Sequence, residues 1–187
     1  MARCQAPDRR PGRPRRGPAR AYRVGDPADG ATRLGPLASG AQRRRVTGCI
    51  ERGVADGATV VVGGPGRPEG PERGAYVRPT VLADVDPGAA VAQEEIFGPV
   101  PVVIPCTDDD HAVEIANGTA YGRTGAVSGE REHAPAVAGR LRAGQVGVNG
   151  AGTNPLAPFG GCKQSGNGRE MGRFGPEEFL KTEAIHR

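Results

Sequence analysis

The sequence predicts an α/β domain built on a largely parallel sheet. Three observations carry this expectation. Apolar runs of strand length recur along most of the chain. Between them lie stretches with helical periodicity, and the alternation of the two patterns favours a sheet with helices against it. The length of 187 residues suits one domain with a sizeable core. No internal repeat is visible.

The elements follow in order. Residues 1–20, "MARCQAPDRRPGRPRRGPAR", contain four prolines and no periodicity, so no element is expected there. The domain is expected to begin near Tyr22. In "ASGAQRRRVTGCIERGVADGA", Val46, Ile50 and Val54 recur every fourth residue, which predicts an amphipathic helix with Ser39 as its candidate cap. "ATVVVGG" reads as a buried strand, and "PGRPEGPERG" as a loop of turn residues. "AYVRPTVLADV" and "FGPVPVVIP" read as extended. "TDDDHAVEIANG" reads as a short helix whose first-turn acids suit its dipole. "GAVS" and "GQVGVN" read as strands flanking a helix at about 134–143.

Charge and cysteines narrow the function. The net charge is +4, but residues 1–24 hold eight arginines against one acid, Asp8, a local charge of about +7 that leaves about −3 for the rest. The basic character therefore belongs to an arm. Lys163 and Lys181 are the only lysines, and this arginine bias, with abundant Gly, Ala and Pro, is what a GC-rich gene produces. Nucleic-acid binding is disfavoured accordingly, since the arm also lacks interleaved aromatics apart from Tyr22. The four cysteines, Cys4, Cys49, Cys106 and Cys162, show no CxxC spacing, and no metal site is expected. No signal peptide and no apolar run of membrane-spanning length is read, so a cytoplasmic location without membrane contact is expected.

Five stretches, "LGPLASGAQRRRV" (34–46), "GAYVRPTVLADV" (74–85), "EEIFGPVPVV" (94–103), "AGQVGVN" (143–149) and "PFGGCKQSGNGRE" (158–170), together resemble the C-terminal half of the NAD(P)-dependent aldehyde dehydrogenase superfamily. They fall in that family's order at close to its spacing. The resemblance implies a three-layer α/β/α catalytic domain lacking the Rossmann-like cofactor domain. It divides the chain into an arm (1–23), expected to be disordered, part of a catalytic domain (24–150), and a substrate-funnel loop with a C-terminal oligomerisation segment (151–187).

The resemblance also implies site residues. Glu95 would accept hydrogen bonds from the nicotinamide ribose hydroxyls of NAD or NADP, because a carboxylate offers two acceptors to a diol's two donors. Phe97 would lie against the nicotinamide ring. On the residues alone, Glu95 reads as a solvated strand-edge acid and Phe97 as core, and it is the resemblance that favours the cofactor role. Phe159 would line the aldehyde pocket. Glu170 would be a proton relay at the end of a water channel, the alternative being an ion pair with Arg169 or Lys163. Cys4-Gln5-Ala6-Pro7-Asp8-Arg9 fits the end of the nucleophile motif Cys-x-Ala-x-x-Arg, although Met1-Ala2-Arg3 stands where Gly-Gln is usual. Cys4 is thus a candidate remnant of the nucleophile. Arg123 occupies a position where the family has a buried leucine, and strained packing is expected there.

The expected function is that of an aldehyde dehydrogenase fragment, oxidising an aldehyde to a carboxylic acid through a cysteine thioester and inactive alone. The family's oxyanion asparagine, its water-activating glutamate and its dinucleotide domain precede the cysteine. Two alternatives stand beside it: a polyanion-binding arm, and a non-catalytic partner docking onto a full-length dehydrogenase through the C-terminal segment.

Overall fold

A computed structural model describes the backbone of residues 2–4 and, with side chains, residues 22–186. The elements are β1 (Ala2–Cys4), α1 (Gly40–Ala55), β2 (Thr59–Val62), β3 (Val81–Ala83), α2 (Ala90–Gln93), β4 (Ile104–Cys106), α3 (Asp109–Asn117), β5 (Tyr121–Gly122), β6 (Thr124–Val127), α4 (His133–Ala138), β7 (Gln145–Val148), β8 (Cys162–Lys163) and α5 (Phe174–Glu177). Residues 1–112 and 113–187 form two compact units.

The first unit is organised by α1. Ser39 caps it, its hydroxyl accepting from the Gln42 amide at 3.1 Å. Val46, Cys49, Ile50 and Gly53 form the buried face, a helical i, i+3, i+4, i+7 pattern. This corrects the expected stripe at its last member, because Val54 is exposed. The helix turns Gly53 inward instead, and a Cβ there would meet Leu82 Cδ1 at 3.0 Å and Val91 Cγ1 at 3.2 Å.

β2 and β3 pair antiparallel, and a bridge between Leu82 and Val102 continues the pairing towards β4. Leu82 is fully buried. Leu82→Ala should therefore remove about 2–5 kcal/mol of stability, the range for deleting a buried leucine. Urea unfolding would show this as a lower midpoint at unchanged slope; a midpoint within error of the wild type would remove Leu82 from the core. Thr80 is buried beside it without an orphaned hydroxyl, since Oγ1 accepts from Gly64 N–H (3.0 Å) and donates to the Arg78 carbonyl (2.9 Å).

No element was expected in residues 1–23, yet Ala2–Cys4 pair in parallel with Ile104–Cys106, placing Cys4 opposite Cys106. The ladder gives those backbone groups partners that their own sequence does not announce. Of the rest of the arm expected to be disordered, Arg23 pairs with Asp29 at 2.9 Å, while residues 1 and 5–21 lie outside the described residues. The charge-bearing stretch of the polyanion reading falls mostly there.

At the start of α3, Asp108 Oδ1 accepts from the His111 amide (2.8 Å). That bond first, then the Thr107 hydroxyl, holds the exposed Asp108 carboxyl below the ordinary carboxylate range.

In the second unit, β6 and β7 pair in parallel over Thr124–Val127 and Gln145–Val148, with α4 as the crossover between them. α4 is shorter than the expected 134–143 and ends in turns at Gly139 to Leu141. β5 and β8 pair antiparallel. Among the described residues the named ladders are thus two parallel and two antiparallel pairs, rather than one largely parallel sheet. β2 and β3 are joined by a returning loop without a helix, and such a connection favours antiparallel pairing. Lys163 donates to the carbonyls of Asn117 (2.8 Å) and Thr119 (3.0 Å), satisfying the C-terminal end of α3.

Candidate functional site

Glu95 and Phe97 lie in the first unit, on the loop between α2 and β4. Glu95 is exposed, and its carboxylate makes no hydrogen bond or ion pair with any described residue. Phe97 is 72% exposed, while the intervening Ile96 is 7% exposed. The loop thus buries one apolar side chain and presents its neighbours, an acid and a ring, to solvent. This excludes Phe97 as a core residue. Glu94 faces elsewhere and pairs with Arg52 at 3.3 Å, with both side chains half exposed. Such a surface pair contributes little to stability.

The presentation depends on backbone shape. Phe97 has φ +56°, in the left-handed region, which a bulky residue rarely adopts. Three consecutive carbonyls of this loop accept hydrogen bonds from side chains of α1. Arg45 donates to Glu95 O at 2.7 Å, and Gln42 donates to Ile96 O at 3.1 Å and Phe97 O at 2.9 Å. Gly98 lies so close to α1 that a Cβ would meet Val46 Cγ2 at 2.7 Å.

The sequence reading did not single out Gln42 or Arg45. Their spacing with the buried Val46 and Cys49, one helical turn apart on one side of α1, was the available signal.

Cys4 falls on β1, in the first unit; its side chain lies outside the described set, as do Ala6 and Arg9 of its motif.

The second unit brings Phe159 and Glu170 together. They form an antiparallel bridge, with Phe159 N–H donating to Glu170 O (2.7 Å) and Glu170 N–H donating to Phe159 O (2.6 Å). The ion pair considered for Glu170 is not formed. Lys163 is committed to α3, and Arg169 donates to the carbonyls of Gly161 and Gly168, each at 2.8 Å. The expected strain at Arg123 is also absent. Its side chain is exposed, and the guanidinium carbon lies 4.9 Å from the centre of the Phe159 ring, within cation–π range. Asn149 is a turn residue, at φ +52° and accepting from Gly129 N–H at 2.9 Å.

No group of three or more His, Cys, Asp and Glu residues fit to hold a metal occurs among the described residues. No described helix is long and apolar enough to cross a membrane. Glu95 and Phe97 do fit a nicotinamide riboside: a carboxylate without a partner among the described residues lies two residues from an exposed aromatic face.

Comparison with known proteins shows what the chain as a whole is similar to. The sequence model described as the aldehyde dehydrogenase family matches residues 17–185. A 3-succinoylsemialdehyde-pyridine dehydrogenase from a Pseudomonas species is 50% identical over 163 residues, 87% of this chain and 34% of that protein. A putative aldehyde dehydrogenase of Staphylococcus aureus (strain USA300) is 48% identical over 164 residues, again 34% of its length. Among solved structures, a mutant of aldehyde dehydrogenase C from Pseudomonas syringae with NAD+ and octanal superposes with TM-score 0.85 at 52% identity, covering 89% of this chain and 35% of that one. Mycobacterium tuberculosis aldehyde dehydrogenase with NAD+ gives TM-score 0.82 at 44% identity, with coverage of 86% and 33%. The chain therefore spans about a third of the length of these relatives.

Proposed function

The chain belongs to the aldehyde dehydrogenase family, and from that premise we propose that residues 24–187 are the C-terminal part of an NAD(P)-dependent enzyme that oxidises an aldehyde to a carboxylic acid. The observation that carries the proposal is the loop presenting a Glu95 carboxylate with no partner among the described residues and an exposed, left-handed Phe97. In this reading the parent domain is a three-layer α/β/α catalytic domain. Its chemistry is covalent: a cysteine thiolate attacks the aldehyde, hydride departs, and water releases the acid from the thioester.

Bound NAD(P)+ supplies the hydride acceptor. Glu95 holds the ribose through both hydroxyls, and Phe97 forms a wall for the nicotinamide ring. Cys4 is the remnant of the nucleophile. Phe159 lines the aldehyde pocket, and Glu170, which makes no ion pair among the described residues, relays a proton from the hydrolytic water. The C-terminal segment is the oligomerisation surface. Phe179 (90%), Leu180 (71%) and Ile185 (90%) are all exposed, and apolar side chains so placed are suited to cover by another protein surface.

The test uses nicotinamide mononucleotide, which carries the ring and ribose with a single phosphate and no adenosine. Titrated into the chain and followed by NMR, it should bind. Glu95→Gln should weaken binding by about 1.5–3 kcal/mol, the range for a lost charge-assisted hydrogen bond, or roughly ten- to a hundredfold. Phe97→Ala should weaken it as well. Affinities unchanged in both variants would return the two residues to an ordinary surface role.

A further inference from the structure

We infer that Gln42, seconded by Arg45, is a positioning residue that holds Phe97 in its left-handed conformation and so sets the direction in which the ring and the Glu95 carboxylate face a nicotinamide riboside. The inference deepens the cofactor reading and rests on it for its ligand.

A phenylalanine at φ +56° is sterically disfavoured, and such a conformation persists only where its surroundings over-determine it. The surroundings here are specific. The Gln42 amide nitrogen lies 3.1 Å from Ile96 O and 2.9 Å from Phe97 O, so one NH2 group spans the two carbonyls on either side of the Phe97 nitrogen and Cα. Arg45, one turn on, fixes the preceding carbonyl of Glu95 at 2.7 Å. Gly98 completes the clamp by letting the loop approach Val46 more closely than any Cβ would allow. Without the Gln42 donors, the two carbonyls lose these partners and the Phe97 backbone can relax to negative φ. Its side chain then leaves on a different bearing. Both act through the main chain of 95–97.

The experiment compares the chain with Gln42→Met, which keeps length without a donor, and Gln42→Asn, which keeps the amide on a shorter stem. Positive φ brings a residue's own amide proton and Hα close together, so Phe97 should show a strong intraresidue NOE in the wild type. That NOE should weaken in Gln42→Met, and nicotinamide mononucleotide affinity should fall about tenfold, the equivalent of two neutral hydrogen bonds. Gln42→Asn should lie between.

A second arm separates positioning from general stability. Glycine takes positive φ freely, so in a Phe97→Gly background the residual affinity should be insensitive to Gln42→Met. Should Gln42→Met fail to fold, Gln42→Asn carries both readouts. A Phe97 NOE that stays strong in the folded Gln42 variants would overturn the inference, as would an equal affinity loss in both backgrounds. If the wild-type chain binds no nicotinamide mononucleotide, the cofactor reading fails, and the NOE still decides the positioning role.

Discussion

Gly144→Ala is expected to unfold the second unit at temperatures where the wild type is intact. A Cβ at Gly144 would fall inside the van der Waals surface of the Gly160 carbonyl and 3.2 Å from Arg123 O. Both neighbours are backbone, so no side chain can rotate away. The Gly144 N–H also donates to Gly122 O at 2.9 Å, which ties the strand start in place. Overpacking a well-packed site costs about 1–3 kcal/mol, and more where the backbone must move. For a unit of this size, a loss of about 3 kcal/mol lowers the melting temperature by roughly 12 °C or more. The control is Gly152→Ala, where a Cβ meets nothing within 4 Å and the change should stay within about 0.5 kcal/mol. Equal melting of the two variants would mean that β7 does not approach the Phe159 loop this closely. The effect reaches the Phe159 loop because Gln145, beside Gly144, donates to Pro158 O at 3.3 Å.

The second large effect is an absence of turnover. The 187-residue polypeptide by itself, given NAD+ or NADP+ and a panel of aliphatic and aromatic aldehydes, should show no rise in NAD(P)H absorbance. Two residues, Glu95 and Phe97, address the nicotinamide riboside in the proposed reading, and the chain spans about a third of its relatives. Catalysis by a thiolate needs the aldehyde, the hydride acceptor and the oxyanion donors fixed together, and that positioning is worth about 7–11 kcal/mol. Cys4→Ser serves as the control. Turnover that saturates with cofactor and vanishes in Cys4→Ser would show instead that these residues suffice for catalysis. Thiol alkylation alone would not, since a cysteine among arginines can ionise and react without any site around it.

Much of the local structure was legible in the sequence. The α1 helix and its Ser39 cap follow from periodicity and a hydroxyl at the right place. The β6–α4–β7 crossover follows from two short apolar runs separated by a helix. What was not legible is long-range. Nothing in "ARC" announces a partner at Ile104–Cys106, and ladder partners a hundred residues apart are chosen by tertiary packing. The inward turn of Gly53 in place of Val54 is also tertiary, set by Leu82 and Val91 pressing on the helix. At the site, the motif located Glu95 and Phe97 but not the reason they face outward. That reason is a backbone angle and three carbonyl acceptors, and side-chain identities at 95–97 encode neither. Arg123 misled for a related reason: a position expected to be buried is exposed here, with an aromatic face beside it.

The clamp on 95–97 has an evolutionary corollary. Gln42 and Arg45 grip main-chain oxygens, and every amino acid carries the same one. The geometry of the loop is therefore written in the helix, while the chemistry it displays is written in the loop itself. Two such separable instructions can diverge independently: a lineage can exchange the displayed acid or ring for another group and inherit the scaffold unchanged. Loss of the glutamine would cost the whole display at once, whatever side chains the loop carried.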